Sequence, residues 1–130
     1  MTYLVYILTC ENRTYVGMTN DFMRRWRQHI GDLKGGAKYT TRFGKDWYPI
    51  CIIDGFETMK EAMQCEWRVK KTKKSYRGPS GRVRWLNEIL ETRTHWTTKS
   101  PSITSQGLTI YVDDNYSSLV TRDTQELVWV

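Results

Sequence analysis

Residues 1–19 read MTYLVYILTCENRTYVGMT, and the rest of the chain takes its meaning from them. Two runs rich in β-branched and aromatic residues, Tyr3–Thr9 and Thr14–Thr19, flank the polar Cys10–Glu11–Asn12–Arg13. Runs of this kind around a short polar connection predict a β-hairpin, here with a four-residue link. Tyr6 and Tyr15 then sit on paired strands, with Gly17 just beyond Tyr15. Tyrosine is at home in any strand, so the two phenols carry no function by themselves.

Beyond the hairpin, Thr19 or Asn20 can cap a helix running to about Leu33, and Gly31, Gly35 and Gly36 argue for a stop and a loop. At about 100° per residue, Phe22, Trp26, His29, Ile30 and Leu33 share one stripe with Arg25 at its edge. Arg24, Arg27 and Gln28 point away from it. Arg25 and His29, one turn apart, therefore both lean toward the core. His29 is either a core-edge histidine bonded to a backbone carbonyl or part of a site. The segment Gly35–Lys45, GGAKYTTRFGK, reads as a basic loop whose Lys38, Arg42 and Lys45 either meet phosphates or are simply solvated.

Trp47–Phe56, WYPICIIDGF, reads as a third strand that Asp54–Gly55 ends, with Pro49 tolerated at its entrance. Thr58-x-x-Glu61 is a capping box opening a second helix to about Lys73. Met59, Ala62, Met63 and Val69 form its apolar stripe, with Cys65 and Trp67 on the flanks and Glu66 inside it. A buried carboxylate is costly unless it pairs with a cation or holds a metal, so Glu66 is either a metal ligand or a structural partner of Arg25. Arg68 to Arg84 holds eight Lys or Arg and no acidic residue. Pro79 suits the start of a third helix to about Thr92. Thr97–Gln106, TTKSPSITSQ, reads as a linker, and Leu108–Val112 with Glu126–Val130 as a terminal hairpin.

The chain has 130 residues, enough for one core, and a net charge of +6 that favours a polyanion partner, nucleic acid before membrane. No long apolar run is present, so no membrane span or secretory leader is expected. Cys10, Cys51 and Cys65 form no C-x-x-C pair, which points away from zinc and disulfides and toward a reducing compartment, nucleus or cytoplasm. Two histidines are too few for a histidine metal cluster. Neither G-x-x-x-x-G-K nor G-x-S-x-G occurs.

Tyr6, Tyr15, Arg25, His29 and Glu66 come from elements expected to pack on one small sheet. Phenols, a guanidinium, an imidazole and one inward carboxylate suit phosphodiester hydrolysis. Here the sequence resembles the GIY-YIG nucleases. Leu4–Val5–Tyr6 matches the first part of that motif, with leucine in place of the glycine, and Tyr15–Val16–Gly17 matches the second. The family's helix arginine corresponds to Arg25, its His or Tyr one turn later to His29, and its metal-binding glutamate to Glu66. Arg24–His29, Gly35–Ala37 and Glu66–Trp67 are similar to the branch formed by the catalytic subunit of the eukaryotic structure-specific nuclease for branched DNA. The resemblance implies one divalent cation, Mg²⁺ or Mn²⁺, on Glu66. It implies Tyr15 as general base, Tyr6 as the residue positioning water, and Arg25 as the group neutralising transition-state charge. His29 would relay a proton or bond phosphate. That branch carries a RING-like zinc domain, for which these 130 residues lack the cysteines. Met18 stands where some relatives have a lysine that favours tyrosine ionisation.

The expected architecture is α+β: a three-stranded, mainly antiparallel sheet flanked by helices. Residues 1–95 would form the nuclease domain with its basic extension, and residues 96–130 a linker and small β segment. Lys38, Arg42, Lys45, Arg68, Lys70, Lys71, Lys73, Lys74 and Arg77 are the expected backbone contacts to branched or flap DNA. A scaffold protein or a second copy is a possible partner, and a membrane is not expected. The competing readings are a sequence-specific restriction or homing nuclease, a non-catalytic nucleic-acid-binding module and a protein adaptor.

Overall fold

In the computed structural model, which describes residues 2–128, the hairpin forms from β1 (Tyr3–Cys10) and β2 (Arg13–Thr19). Its ladder runs from Leu4↔Thr19 to Cys10↔Arg13, so the connection is two residues, Glu11–Asn12, rather than four. Glu11 takes a φ of 56° to close the turn. The Thr9 hydroxyl adds a bond to the Arg13 carbonyl at 2.9 Å, drawing Arg13 into the strand. Residues directly opposite one another share a face. Tyr6↔Gly17 and Leu8↔Tyr15 therefore lie on one side of the sheet, and Ile7↔Val16 on the other.

The sheet has five strands, not three. β1 pairs on its other edge with β3 (Tyr48–Phe56), β3 with β4 (Thr109–Val112), and β4 with β5 (Gln125–Glu126), in the order β2-β1-β3-β4-β5. All pairs are antiparallel except β4 with β5. The expected terminal hairpin is thus absent: its first run extends the main sheet and its second lies parallel to the first. Residues 129–130 of that run fall outside the described residues. β3 also passes through Asp54 and Gly55 rather than ending there. A register irregularity between Tyr3 and Leu4 absorbs the glycine, and Asp54 stays paired with Leu4 and Thr109.

Four α-helices cover the two faces. α1 (Phe22–His29) and α2 (Lys38–Arg42) lie over Tyr6, Leu8, Trp47 and Ile52; α3 (Met59–Lys70) and α4 (Gly78–Thr92) pack on Val5, Ile7 and Ile53. α1 is capped by Asp21, whose side chain accepts from the Arg24 amide at 3.2 Å. Thr19 instead folds the chain just upstream, its oxygen accepting from the Asp21 amide. α1 ends at His29, short of Leu33, and α2 occupies what the sequence read as loop. Thr58 does cap α3, accepting from the Glu61 amide, while its hydroxyl rather than its backbone N–H donates to the Glu61 carboxylate.

The buried stripe of α3 is Ala62, Cys65 and Val69, and Met59, Met63 and Trp67 are about half exposed. The helix meets the sheet through small residues, which turns the long methionines and the indole outward. Residues 97–106 are not a linker. Trp96, fully buried, donates its indole N–H to Gln106 at 2.8 Å, His95 pairs with Ser102, and a 3-10 turn follows at Ile103–Gln106. Among the described residues no helix is long and apolar enough to cross a membrane.

Because Trp96 sits in the same core as Phe56 and Leu86, Trp96→Ala should cost about 3–5 kcal/mol in urea unfolding. A loss below about 1 kcal/mol would mean that the C-terminal segment merely rests on the sheet.

Candidate active site

The site begins with an absent side chain. Tyr6 rises from β1 directly opposite Gly17 and is 1% exposed. A Cβ built on Gly17 would overlap the Tyr6 hydroxyl and lie 3.0 Å from Cε2 of Tyr15. Glycine therefore lets one phenol cross β2 beside the other, their ring centres 6.3 Å apart. Tyr15 is half-buried, so one phenol is sealed and the other meets solvent.

Tyr6 Oη lies 2.7 Å from Nε2 of His29, and Nδ1 of His29 lies 2.8 Å from Thr40 Oγ1. Thr40 spends its only hydroxyl proton on the Ala37 carbonyl at 3.0 Å. Its oxygen must then accept from His29 Nδ1–H, which leaves Nε2 bare to accept the proton of Tyr6. Thr40 is held in turn by the indole of Trp47, which donates to its carbonyl at 3.0 Å. Trp26 likewise donates to the Trp47 carbonyl at 2.8 Å. Burial, then the Arg25 guanidinium, push His29 down to about 4, so the ring is neutral. Burial chiefly, with Tyr15 nearby, raises Tyr6 well above the ordinary phenol value. His29 is thus bonded to two side chains, not to a backbone carbonyl.

Arg25 Nη1 donates to Gln28 Oε1 at 2.8 Å and to the Gly35 carbonyl at 2.9 Å. Gly36 follows so closely against the Gln28 carbonyl that a Cβ there would overlap it. The glycine pair folds the loop back to clamp the arginine. Burial opposes the guanidinium charge, but the adjacent Tyr6 and Tyr15 outweigh it and raise its pKa.

Glu66 sits on α3, on the far face of the sheet, and reaches the site around the β2 edge. Its negative charge is felt at Tyr6. Its side chain is 22% exposed rather than enclosed, and its ion-pair partner is Lys70 at 3.6 Å, not Arg25. The Lys70 ammonium also lies 5.7 Å from the centre of the Tyr15 ring. Met18 packs on the α3 side of β2, so the cation at this edge comes from α3. Among the described residues no three His, Cys, Asp or Glu side chains cluster to hold a metal. One accessible carboxylate fits a hard cation such as Mg²⁺, which keeps most of its water and takes one or two protein carboxylates.

The remaining basic residues divide by role. Lys38, Arg42, Lys45, Lys70, Lys71, Lys73, Lys74 and Arg77 are exposed. Arg68 differs: its Nε donates to the Trp96 carbonyl at 2.7 Å, tying α3 to the C-terminal segment. Sequence reasoning missed two residues. Thr40 lay in a helix too short to show periodicity. Arg82 was one cation in a basic run, yet it is half-buried and donates to Thr14 Oγ1 and to the Val69 and Lys70 carbonyls. It joins β2, α4 and the end of α3, and so fixes where Lys70 stands.

The GIY-YIG catalytic domain family matches residues 2–78. Over 68 residues, 48% of this chain, it is 41% identical to a structure-specific endonuclease subunit SLX1 homolog of Leishmania infantum. It is 42% identical over 71 residues, 52% of the chain, to the structure-specific endonuclease subunit slx1 of Schizosaccharomyces japonicus. Over 73 residues, 54% of the chain, it is 42% identical to the protein of that name from Pyrenophora tritici-repentis. These alignments span 10%, 26% and 20% of the respective relatives.

His29 has a folded pKa of about 4, below the ordinary value of 6.5, so the unfolded chain binds its proton more readily. Its stabilising contribution is complete above about pH 6.5 and is lost as pH falls through 4, a swing of about 3 kcal/mol. Urea unfolding across that range should show the fall, and His29→Gln should flatten it. Thr40→Val, which strands the Nδ1–H, should cost about 1–3 kcal/mol at pH 7.5.

Proposed function

The chain belongs to the GIY-YIG catalytic domain family of nucleases, and we propose that it is a metal-dependent endonuclease selective for branched or flap DNA, acting in repair or recombination. The observation that carries this reading is the convergence of Tyr15, Arg25, Glu66 and Lys70 at the β2 edge, with the Tyr6–His29–Thr40 chain beneath them. The names of the relatives, structure-specific endonuclease subunits, support the DNA substrate and a partner protein or second copy. The free, buried Cys10, Cys51 and Cys65 support a reducing compartment, nucleus or cytoplasm.

In this reading the two phenols do different work. Tyr15, open to solvent, acts as the phenolate and accepts a proton from the attacking water as the water oxygen bonds to phosphorus and the opposite ester bond breaks. Tyr6 is neutral and sealed, its hydroxyl donating to His29 Nε2, so it fixes the floor against which the water and Tyr15 are set. His29 is fully buried and therefore holds Tyr6 rather than the phosphate. Arg25, pinned by Gln28 and Gly35, faces the charge that grows on the phosphate oxygens. Lys70 adds positive potential beside the Tyr15 ring, in place of the lysine missing at position 18. Glu66 would hold the divalent cation, whose charge, when bound, assists the phosphate and the leaving oxygen. The exposed cations of α2 and residues 70–77 grip the backbone without reading sequence.

The test is cleavage of end-labelled flap, fork, four-way-junction and linear duplexes with Mg²⁺, Mn²⁺ or chelator. Glu66→Gln, Tyr15→Phe and Arg25→Ala should each cut at least about 100-fold more slowly, and Lys70→Met about tenfold more slowly. No cutting under any metal would sink the enzyme reading. Cutting of linear duplex at one sequence would favour a restriction or homing nuclease. Full activity in Glu66→Gln would move the metal elsewhere.

A further inference from the structure

Tyr39 is a large aromatic residue left 42% exposed beside the site. It stands on α2, and its ring lies at 23° to that of Tyr15 with centres 6.4 Å apart. Behind it, Phe43 meets it edge-on at 5.0 Å, and Trp47, itself 1% exposed, tilts against it at 5.9 Å. The ring is therefore propped from inside the fold and open on its outer side. Cations surround the props. The Arg13 guanidinium sits 4.1 Å over Phe43, although Glu11 pairs with it at 3.2 Å, and Arg42 sits 5.3 Å over the same ring. Lys38 is exposed one residue before Tyr39.

An exposed ring flanked by cations is the elementary unit of single-strand recognition: the base stacks and the backbone is neutralised. Spacing narrows the occupant further. Three carbons separate the two ester oxygens of each nucleotide, so one nucleotide step along an extended strand is of the order of the 6.4 Å between the Tyr15 and Tyr39 rings. With Tyr15 at the reacting phosphate, a base on Tyr39 belongs to the nucleotide beside it. In continuous duplex both faces of that base are covered by its neighbours. Only an unpaired or unstacked base, such as one at a branch point, offers its face.

We propose that Tyr39 is a stacking platform for the unpaired base next to the cleaved phosphate, and that this contact makes the site prefer branched DNA over continuous duplex. The proposal rests on the nuclease reading above and assigns its selectivity to one ring. Replacing Tyr39 removes the stack and its ring contact with Tyr15, while the Tyr15, Arg25, His29 and Glu66 side chains themselves are retained.

The experiment uses flap DNA with 2-aminopurine at the first unpaired nucleotide, a matched linear duplex with the probe at the same position, and chelator to prevent cutting. The full chain should quench the probe on the flap far more than on the duplex and bind the flap more tightly. Tyr39→Ala should abolish the flap-specific quenching and cut the flap-over-duplex binding ratio by about tenfold or more, whereas Tyr39→Trp should keep both. Circular dichroism of each variant controls for folding. Unchanged quenching and unchanged preference in folded Tyr39→Ala overturns the proposal, as does equal loss in Tyr39→Trp. If no DNA is cut with Mg²⁺ yet quenching still depends on residue 39, the nuclease reading fails and the platform stands.

Discussion

The buried bond between the Tyr6 hydroxyl and Nε2 of His29 is the constraint from which the active face is built. It joins β1, a strand paired on both sides, to α1 in the dry interior, where an unmet hydroxyl or imidazole nitrogen would cost about 1–3 kcal/mol. Every neighbour serves it. Gly17 gives the phenol room, and Thr40 fixes the tautomer. Trp26 and Trp47 tie α1, the entrance of β3 and the Thr40 carbonyl into one set of bonds. The result is a buried, fully bonded floor with a fixed proton arrangement, on which the more exposed groups stand.

The second constraint is topological. α3 lies on the opposite face of the sheet from α1, so its carboxylate joins the phenols only because β2 is an edge strand. Glu66 and Lys70 reach around that edge from successive turns of one helix. Arg82 holds the turn that carries them, donating to the last helical carbonyls and to Thr14 on β2. A cation that reads in the sequence as one of a basic run is thus a half-buried clamp, with its charged form disfavoured by burial and its donors spent on the fold.

The candidate catalytic residues are legible in the sequence because each lies in a patterned strand or helix. Strand alternation brought out Tyr6 and Tyr15, and the three-to-four-residue rhythm of α1 turned Arg25 and His29 inward. Less visible were the parts defined by tertiary contact. α2 has five residues and no period to read, so Thr40 stayed hidden in an apparent loop. The stripe on α3 reads as rotated because the two long methionines draw it toward themselves, whereas close helix–sheet packing selects the small thiol of Cys65. The polar run after His95 looked like a linker because its anchor, Trp96, is a single residue. Local composition described its surface and said nothing of the indole beneath.

Two chemically identical side chains end with opposite properties, and the sheet explains why. Tyr6 belongs to a strand paired on both sides and covered by α1, so burial suppresses its ionisation. Tyr15 belongs to the edge strand one step away, half-open, with a guanidinium on one side and an ammonium over its ring. Two cations thus flank the Tyr15 ring, while a charge on Tyr6 would meet desolvation and the field of Glu66. The contrast between the two phenols thus follows from strand position. Strand position also accounts for the cation beside Tyr15 at an edge where position 18 is Met: the charge is carried by α3, whose register Arg82 fixes, and not by the hairpin itself.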